Sequence, residues 1–223
     1  ERLEFMRGTG VRGVLFSSDP YHQAFVPAAN VLRFRRIARD IFGDSGVWGP
    51  LGPDEEIRDN ERIAADPERL AERVRRQPPI FVGAAYLGLR QYVEDYALDE
   101  MPLNGGWRHL PPVRHCAMEF QADTIWELHV DPYDNVQTNC GIILANASKT
   151  RMVDLLKAGP ENANPIVRLV SEDGPFALAR FARDQHGYVI PERACSKCAL
   201  CYHVRTFLRP FYPEILGPAE VYG

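Results

Sequence analysis

Three of the five cysteines in this 223-residue chain fall in one short stretch, Cys195-Ser196-Lys197-Cys198-Ala199-Leu200-Cys201. No other feature constrains the fold as much. C-x2-C-x2-C spacing wraps a short peptide around one side of a compact inorganic centre, so that several sulfurs converge on it. Iron–sulfur proteins use this spacing for three ligands of a [4Fe–4S] cluster and draw a fourth cysteine from elsewhere. Two candidates for that fourth ligand lie upstream: Cys140, in Thr138-Asn139-Cys140-Gly141, and Cys116. Zinc is an alternative, since it also takes four thiolates, but its usual signature is a pair of C-x2-C knuckles rather than one triplet and two scattered residues. Free or redox thiols are a third reading. A disulfide framework does not suit an odd count of five in a chain of this size.

Charge narrows the partners. A net charge of -4 and an isoelectric point near 5.9 disfavour a surface that tracks phosphates, so nucleic acid is not an expected partner. No apolar run is long enough to span a bilayer, and no membrane partner is expected. The first ten residues are charged and lack the apolar segment of a signal peptide, which points to a reducing, cytoplasmic setting. The chain begins with Glu1, as a processed protein or a piece of a longer one would.

The first half alternates between two periods. After a short helix stopped by Gly8 and Gly10, Val11-Arg12-Gly13-Val14-Leu15-Phe16 reads as a mostly buried strand. It opens into Ser17-Ser18-Asp19-Pro20-Tyr21-His22. A polar cluster at the C-terminal end of a strand is the pattern at the working face of parallel α/β folds; the competing reading is that Asp19-Pro20 starts a turn. Val31, Phe34, Ile37, Ala38 and Ile41 fall at helical spacing over 28–42, and Gly43 ends that helix. Val47-Trp48 reads as a second strand, followed by a Gly/Pro-rich loop. Asp54 caps a polar helical stretch, and Pro67 starts another that runs to Arg76. The arginines of that last helix (69, 73, 75 and 76) read as a solvated face, with an anion site as the alternative. Ile80-Phe81-Val82 reads as a third strand and Gly83 to Leu98 as a helix. This order favours a parallel sheet, either open or part of a barrel.

A Pro/Gly-rich connector over 101–112 places the domain boundary at about residue 110, separating 1–110 from 111–223. Beyond it, Val113 to Phe120 and Ile125 to Val130 read as strands. Asp131-Pro132-Tyr133-Asp134-Asn135 reads as a tight turn, with Asn tolerant of positive φ. The resulting hairpin delivers Cys140, and with it Cys116, to one end of a small antiparallel sheet. Ser148 reads as the cap of a helix to Lys157. Further helices are expected around Pro165 to Val170, from Pro175 to Gln185 with Gly187 as its stop, and from the cysteine triplet through Leu208. The Pro-spaced tail from Pro210 reads as surface chain.

With these residues in view, the chain resembles radical S-adenosylmethionine enzymes that carry a C-terminal auxiliary cluster region of the SPASM/twitch kind. Leu15 to His22, with Phe25-Val26-Pro27 and the helix that follows, is similar to a mid-barrel strand of the radical core. Leu128-His129-Val130-Asp131-Pro132-Tyr133-Asp134-Asn135-Val136-Gln137, with Cys140-Gly141 and Leu144-Ala145-Asn146, resembles the hairpin that introduces the auxiliary cluster. Asp134 stands where the family's turn commonly has Gly. The C-x3-C-x2-C loop of the catalytic cluster is absent from this sequence.

The resemblance implies an α/β chain made of the rear part of a (β/α) barrel followed by a small α+β cluster domain. It implies a [4Fe–4S] cluster on the cysteines and S-adenosylmethionine only in a longer protein. The cluster would serve electron transfer if four cysteines ligate it, or anchor substrate if only three do. Ser18, Asp19 and His22 fall where the family contacts S-adenosylmethionine or substrate, and His203 beside the triplet is a candidate hydrogen-bond partner of a ligating cysteine; the alternative for His22, and the default for His129 and His203, is a structural role. The implied partners are a small-molecule or peptide substrate and a redox donor such as ferredoxin or flavodoxin. The competing functions are a zinc-stabilised binding module and a non-catalytic iron–sulfur electron carrier.

Overall fold

A computed structural model describes residues 1–49, 53–101, 112–121, 123 and 127–223, with 112–115 described through their backbone. The chain is mixed α/β, and its described strands form three small sheets. It divides into two compact units, Glu1–Arg76 and Gln77–Gly223.

In the first unit, α1 (Arg2–Gly8) leads to β1 (Val14–Leu15), then α2 (Pro20–Gln23), α3 (Ala28–Phe42) and β2 (Val47–Trp48). β1 and β2 pair in parallel, with Val14 opposite Val47 and Leu15 opposite Trp48, so a helical crossover joins two parallel strands as expected from the alternating periods. Gly13 lets the two strands approach: a Cβ there would lie 2.5 Å from the carbonyl oxygen of Gly46. α4 (Asp54–Ala65) and α5 (Pro67–Arg76) complete the unit. Its small core gathers Ala28, Val31 and Ile57, with Phe16 and Leu32 against them. The buried Arg35 is tied to Asp54. On the basic side of α5, Arg69 pairs with Asp59 at 3.1 Å in an exposed contact, which suits a solvated face.

The second unit starts earlier than the Pro/Gly connector, most of which lies outside the described residues. Residues 77–101 belong to it because Phe81 and Met101 are buried, and Val82, Tyr86, Tyr96 and Leu98 pack on its core. Ile80-Phe81-Val82 is not a strand: Pro78 and Pro79 supply no N–H for a ladder, and the apolar side chains pack individually. The helix expected to reach Leu98 stops sooner, as α6 (Gly83–Leu89), and β3 (Tyr96–Ala97) follows.

α7 (Pro112–Phe120) overturns a strand expectation. Its apolar residues Val113, Cys116, Ala117 and Phe120 recur at helical spacing, and that period prevails. β4 (His129–Val130), β5 (Asn135–Gln137) and β6 (Ile143–Asn146) form an antiparallel sheet with a bulge at Val136/Gln137. The carboxylate of Asp131 organises the turn. It accepts from the backbone N–H of Tyr133 at 2.8 Å and of Asn135 at 3.0 Å, and from the side-chain amide of Gln137 at 2.8 Å. Positive φ falls on Asp134 (62°), one residue before the Asn expected to take it.

α8 (Met152–Ala158) begins after Ser148, whose N–H instead bonds to the Asn146 side chain at 3.1 Å. α9 (Pro165–His186) bends at Asp173–Gly174, ahead of Pro175, and ends on left-handed Gly187, so the two expected helices meet at a kink. β7 (Arg193–Ala194) pairs antiparallel with β3, and α10 (Lys197–Leu208) packs on α9, as α7 does. The tail is not surface chain: Leu216 and Tyr222 are buried in the core, and the carbonyl of Ile215 accepts from Ile143 N–H at 3.1 Å. No helix among the described residues is long and apolar enough to cross a membrane.

Candidate metal centre

None of the five cysteines is in a disulfide. α10 decides how the triplet is presented. Cys198 and Cys201 stand one helical turn apart, and Arg205 follows one turn later, so the three share a face. Cys195 would join that face if the helix extended back to it. It does not, because Ser196 is the N-cap, with extended φ and ψ of -166° and 164°; its hydroxyl accepts from the N–H of Ala199 at 3.1 Å. The helical spacing therefore breaks inside the triplet.

The consequence is two separate surroundings. Cys198 and Cys201 line a cavity together with Cys116, Cys140 and Arg205. Cys195 is buried at a second cavity, beside Arg90, Asp95 and His203. His203 is occupied by Tyr188, whose hydroxyl lies 2.7 Å from its Nδ1. The four thiols on the first cavity come from three different places. α7 carries Cys116. The turn after β5 carries Cys140, with the hydroxyl of Thr138 3.1 Å from its sulfur and Gly141 N–H closing back on the Thr138 carbonyl at 2.8 Å. The two distant cysteines singled out as rival fourth ligands thus both reach the cavity.

Electrostatics couples these groups. Burial pushes the Cys116 thiol well up, and the sulfurs of Cys198, Cys201 and Cys140 add to the push. Burial also raises Cys140, to about 11, and Cys201, with the Arg205 guanidinium pulling both the other way. Burial raises Cys195 too, with Arg90 opposing. A multivalent cation bound among these thiols would reverse this logic, because metal-bound thiols are thiolates.

No protein-family model, curated protein or solved structure matches the chain. Its chemistry therefore rests on its own donor set. Among the described residues, no three His, Cys, Asp or Glu side chains converge closely enough to chelate one metal ion. A single zinc with bonds of about 2.3 Å would need its sulfurs drawn to about 3.8 Å from one another. Thiolates bound to separate irons of a cluster stand farther apart, and thiols, the donor type such a cluster takes, line the first cavity.

Ser18, Asp19 and His22 lie in the first unit, after the C-terminal end of β1. Asp19 caps α2: its carboxylate accepts from Tyr21 N–H at 2.9 Å and His22 N–H at 3.1 Å, and contacts His22 Nδ1 at 2.7 Å. Burial pushes Asp19 up, but the hydrogen bonds and charge of His22 outweigh it and its pKa falls; the same bond raises His22 against its own burial. Ser18 is buried, and its carbonyl accepts from Asn60 Nδ2 at 2.8 Å. His129 lies 3.0 Å from Glu127 on an exposed strand. Arg205 was not singled out from the sequence. The available signal was its position four residues after Cys201 and seven after Cys198.

Proposed function

We propose that the C-terminal region holds an auxiliary [4Fe–4S] cluster on Cys116, Cys140, Cys198 and Cys201, as part of a radical S-adenosylmethionine type of iron–sulfur enzyme. One observation carries this reading: four thiols from three chain segments line the same cavity as a buried guanidinium. When bound, the cluster supplies reversible one-electron transfer. Four thiolates leave no iron open to substrate, which favours the electron-relay role over substrate anchoring. α7, the Thr138–Gly141 turn and α10 hold the thiols apart at fixed positions, and the apolar walls from Val170, Pro175 and Phe120 limit access of water.

The rest of the family reading extends the proposal to the first unit and the hairpin. The β1–α3–β2 crossover is the rear part of a (β/α) barrel. Supporting this, the paired residues Leu15 and Trp48 are exposed, whereas parallel strands are ordinarily covered on both faces. Ser18, Asp19 and His22 then border the S-adenosylmethionine or substrate site of a longer protein. Asp134, at positive φ in the hairpin turn, occupies a conformation suited to the family's Gly. A small-molecule or peptide substrate and a ferredoxin or flavodoxin donor complete the reading.

The test is anaerobic reconstitution with ferrous iron and sulfide. Wild type and Cys195→Ser should both turn brown and hold about four irons and four sulfides per chain, while Cys116→Ser and Cys140→Ser lose the cluster or bind less iron. A colourless protein carrying a single zinc would overturn the proposal. So would iron binding that needs Cys195 and ignores Cys116.

A further inference from the structure

Arg205 is completely buried on α10 and lines the four-thiol cavity. Its Nη1 donates to the carbonyl oxygen of Cys140 at 2.8 Å. The guanidinium carbon lies 5.8 Å from the ring centres of both Tyr202 and Tyr222. Among the described residues the buried Nε and Nη2 make no hydrogen bond of good geometry and Arg205 forms no ion pair, although the guanidinium lies close enough to the Cys201 thiol to pull its pKa down. Two other charged side chains, Glu119 and Lys197, also line the cavity and are of opposite sign.

A guanidinium is charged at every ordinary pH. Burying one without a counter-ion is among the most costly arrangements a fold can hold, and one carbonyl and two ring faces meet only part of its demand. The surroundings point to the missing partner. Thiols are neutral while protonated, but a cubane core held by four thiolates is a net anion, and it gains one more negative charge when reduced. That anion would sit in the cavity that the unpartnered N–H groups border.

We infer that Arg205 is a positioning residue that supplies the buried counter-charge of the thiolate-bound cluster, fixing the Cys140 loop through its carbonyl and favouring the reduced state. This rests on the cluster reading above. An electron from an external one-electron donor adds negative charge to the cluster, so a fixed cation beside it stabilises the reduced form more than the oxidised form.

The experiment uses the full chain, both empty and reconstituted, as wild type, Arg205→Lys, Arg205→Gln and Arg205→Met. Mediated dithionite titration followed by electron paramagnetic resonance gives the midpoint potential. At the wild-type midpoint, the reduced-to-oxidised ratio in Arg205→Gln should fall about tenfold, a shift of about 59 mV for a one-electron couple. Arg205→Lys should stay near wild type. Loss of iron from Arg205→Gln and Arg205→Met but not from Arg205→Lys also supports the charge role.

Thermal unfolding adds a second readout with opposite signs. The empty Arg205→Met protein should melt above empty wild type, because an unpaired charge is gone, and should gain less from reconstitution. Three results overturn the inference while leaving the cluster reading intact: equal potentials in wild type and Arg205→Gln, iron lost equally from Lys and Met variants, or equal destabilisation of the empty and loaded Met variant. Wild type that binds no iron overturns the cluster reading itself, and the role of Arg205 with it.

Discussion

Asn164 ties the start of the longest helix to the sheet that carries Cys140, and its removal has a size that the structure sets. Its Oδ1 accepts from the N–H of Val167 at 2.9 Å, capping α9, and its Nδ2 donates to the carbonyl of Ile143 on β6 at 2.8 Å. Both partner residues are buried, so water does not easily replace either bond. Losing the cap costs about 1 kcal/mol. Losing the second bond and leaving the carbonyl underpaired costs about 1–2 kcal/mol. Asn164→Ala should therefore lose about 2–3 kcal/mol, or about 6–9 °C in melting temperature at roughly 3 °C per kcal/mol for a chain of this size. Asn164→Ser keeps a capping oxygen but cannot reach Ile143, and should lose only about half as much. Asn164→Asp keeps the cap and turns a carboxylate oxygen toward that carbonyl, and should be no better than Ser. Circular dichroism melts, with urea unfolding to confirm unchanged m-values, measure the series. If Asn164→Ala melts within a degree of wild type, or Asn164→Ser melts as low as Asn164→Ala, the double role is wrong.

Other perturbations follow from the same geometry. Asn60→Ala removes the donor to the buried Ser18 carbonyl, and should cost about 1–3 kcal/mol in urea unfolding, with no effect on iron content of the reconstituted protein. The exposed Asp19–His22 pair contributes stability above the ordinary Asp pKa of 3.8 and below the ordinary His pKa of 6.5. That contribution is lost as pH falls through the depressed Asp19 value or rises through the elevated His22 value; being solvent-screened, it amounts to under about 1 kcal/mol. A pH series of His22→Ala against wild type should show a difference greatest between these limits, and a flat difference from pH 3 to pH 9, roughly the span set by the two ordinary values, would contradict it. Asp134→Gly should be tolerated or slightly stabilising because φ there is 62°, whereas Asp134→Val should cost about 1–2 kcal/mol by thermal melting. Leu178, fully buried on the inner face of α9, should cost about 2–5 kcal/mol on truncation to Ala, measured by urea unfolding.

Legibility followed the range of the forces involved. α3 and α5 could be read residue by residue because apolar spacing, a stopping Gly43 and an initiating Pro67 are local signals. The same rules failed at Val113 to Phe120, where a short apolar-rich window fits both periods and contact with α9 selects the helix. They failed again at Ile80-Phe81-Val82, where three apolar residues look like a strand but two prolines upstream provide no ladder. The tail misled for a related reason: its prolines suggest exposure, yet Leu216 and Tyr222 close the core.

The cysteine spacing by itself determined that sulfur chemistry is concentrated near the C-terminus, because donor type and separation along the backbone are written in the residues. Which sulfurs share a cavity was decided by tertiary structure alone. An N-cap at Ser196 turns Cys195 away, a helix rather than a strand carries Cys116 inward, and packing of the tail buries Arg205 beside them. Burial and convergence depend on segments tens of residues apart being pressed together, and no local pattern encodes that.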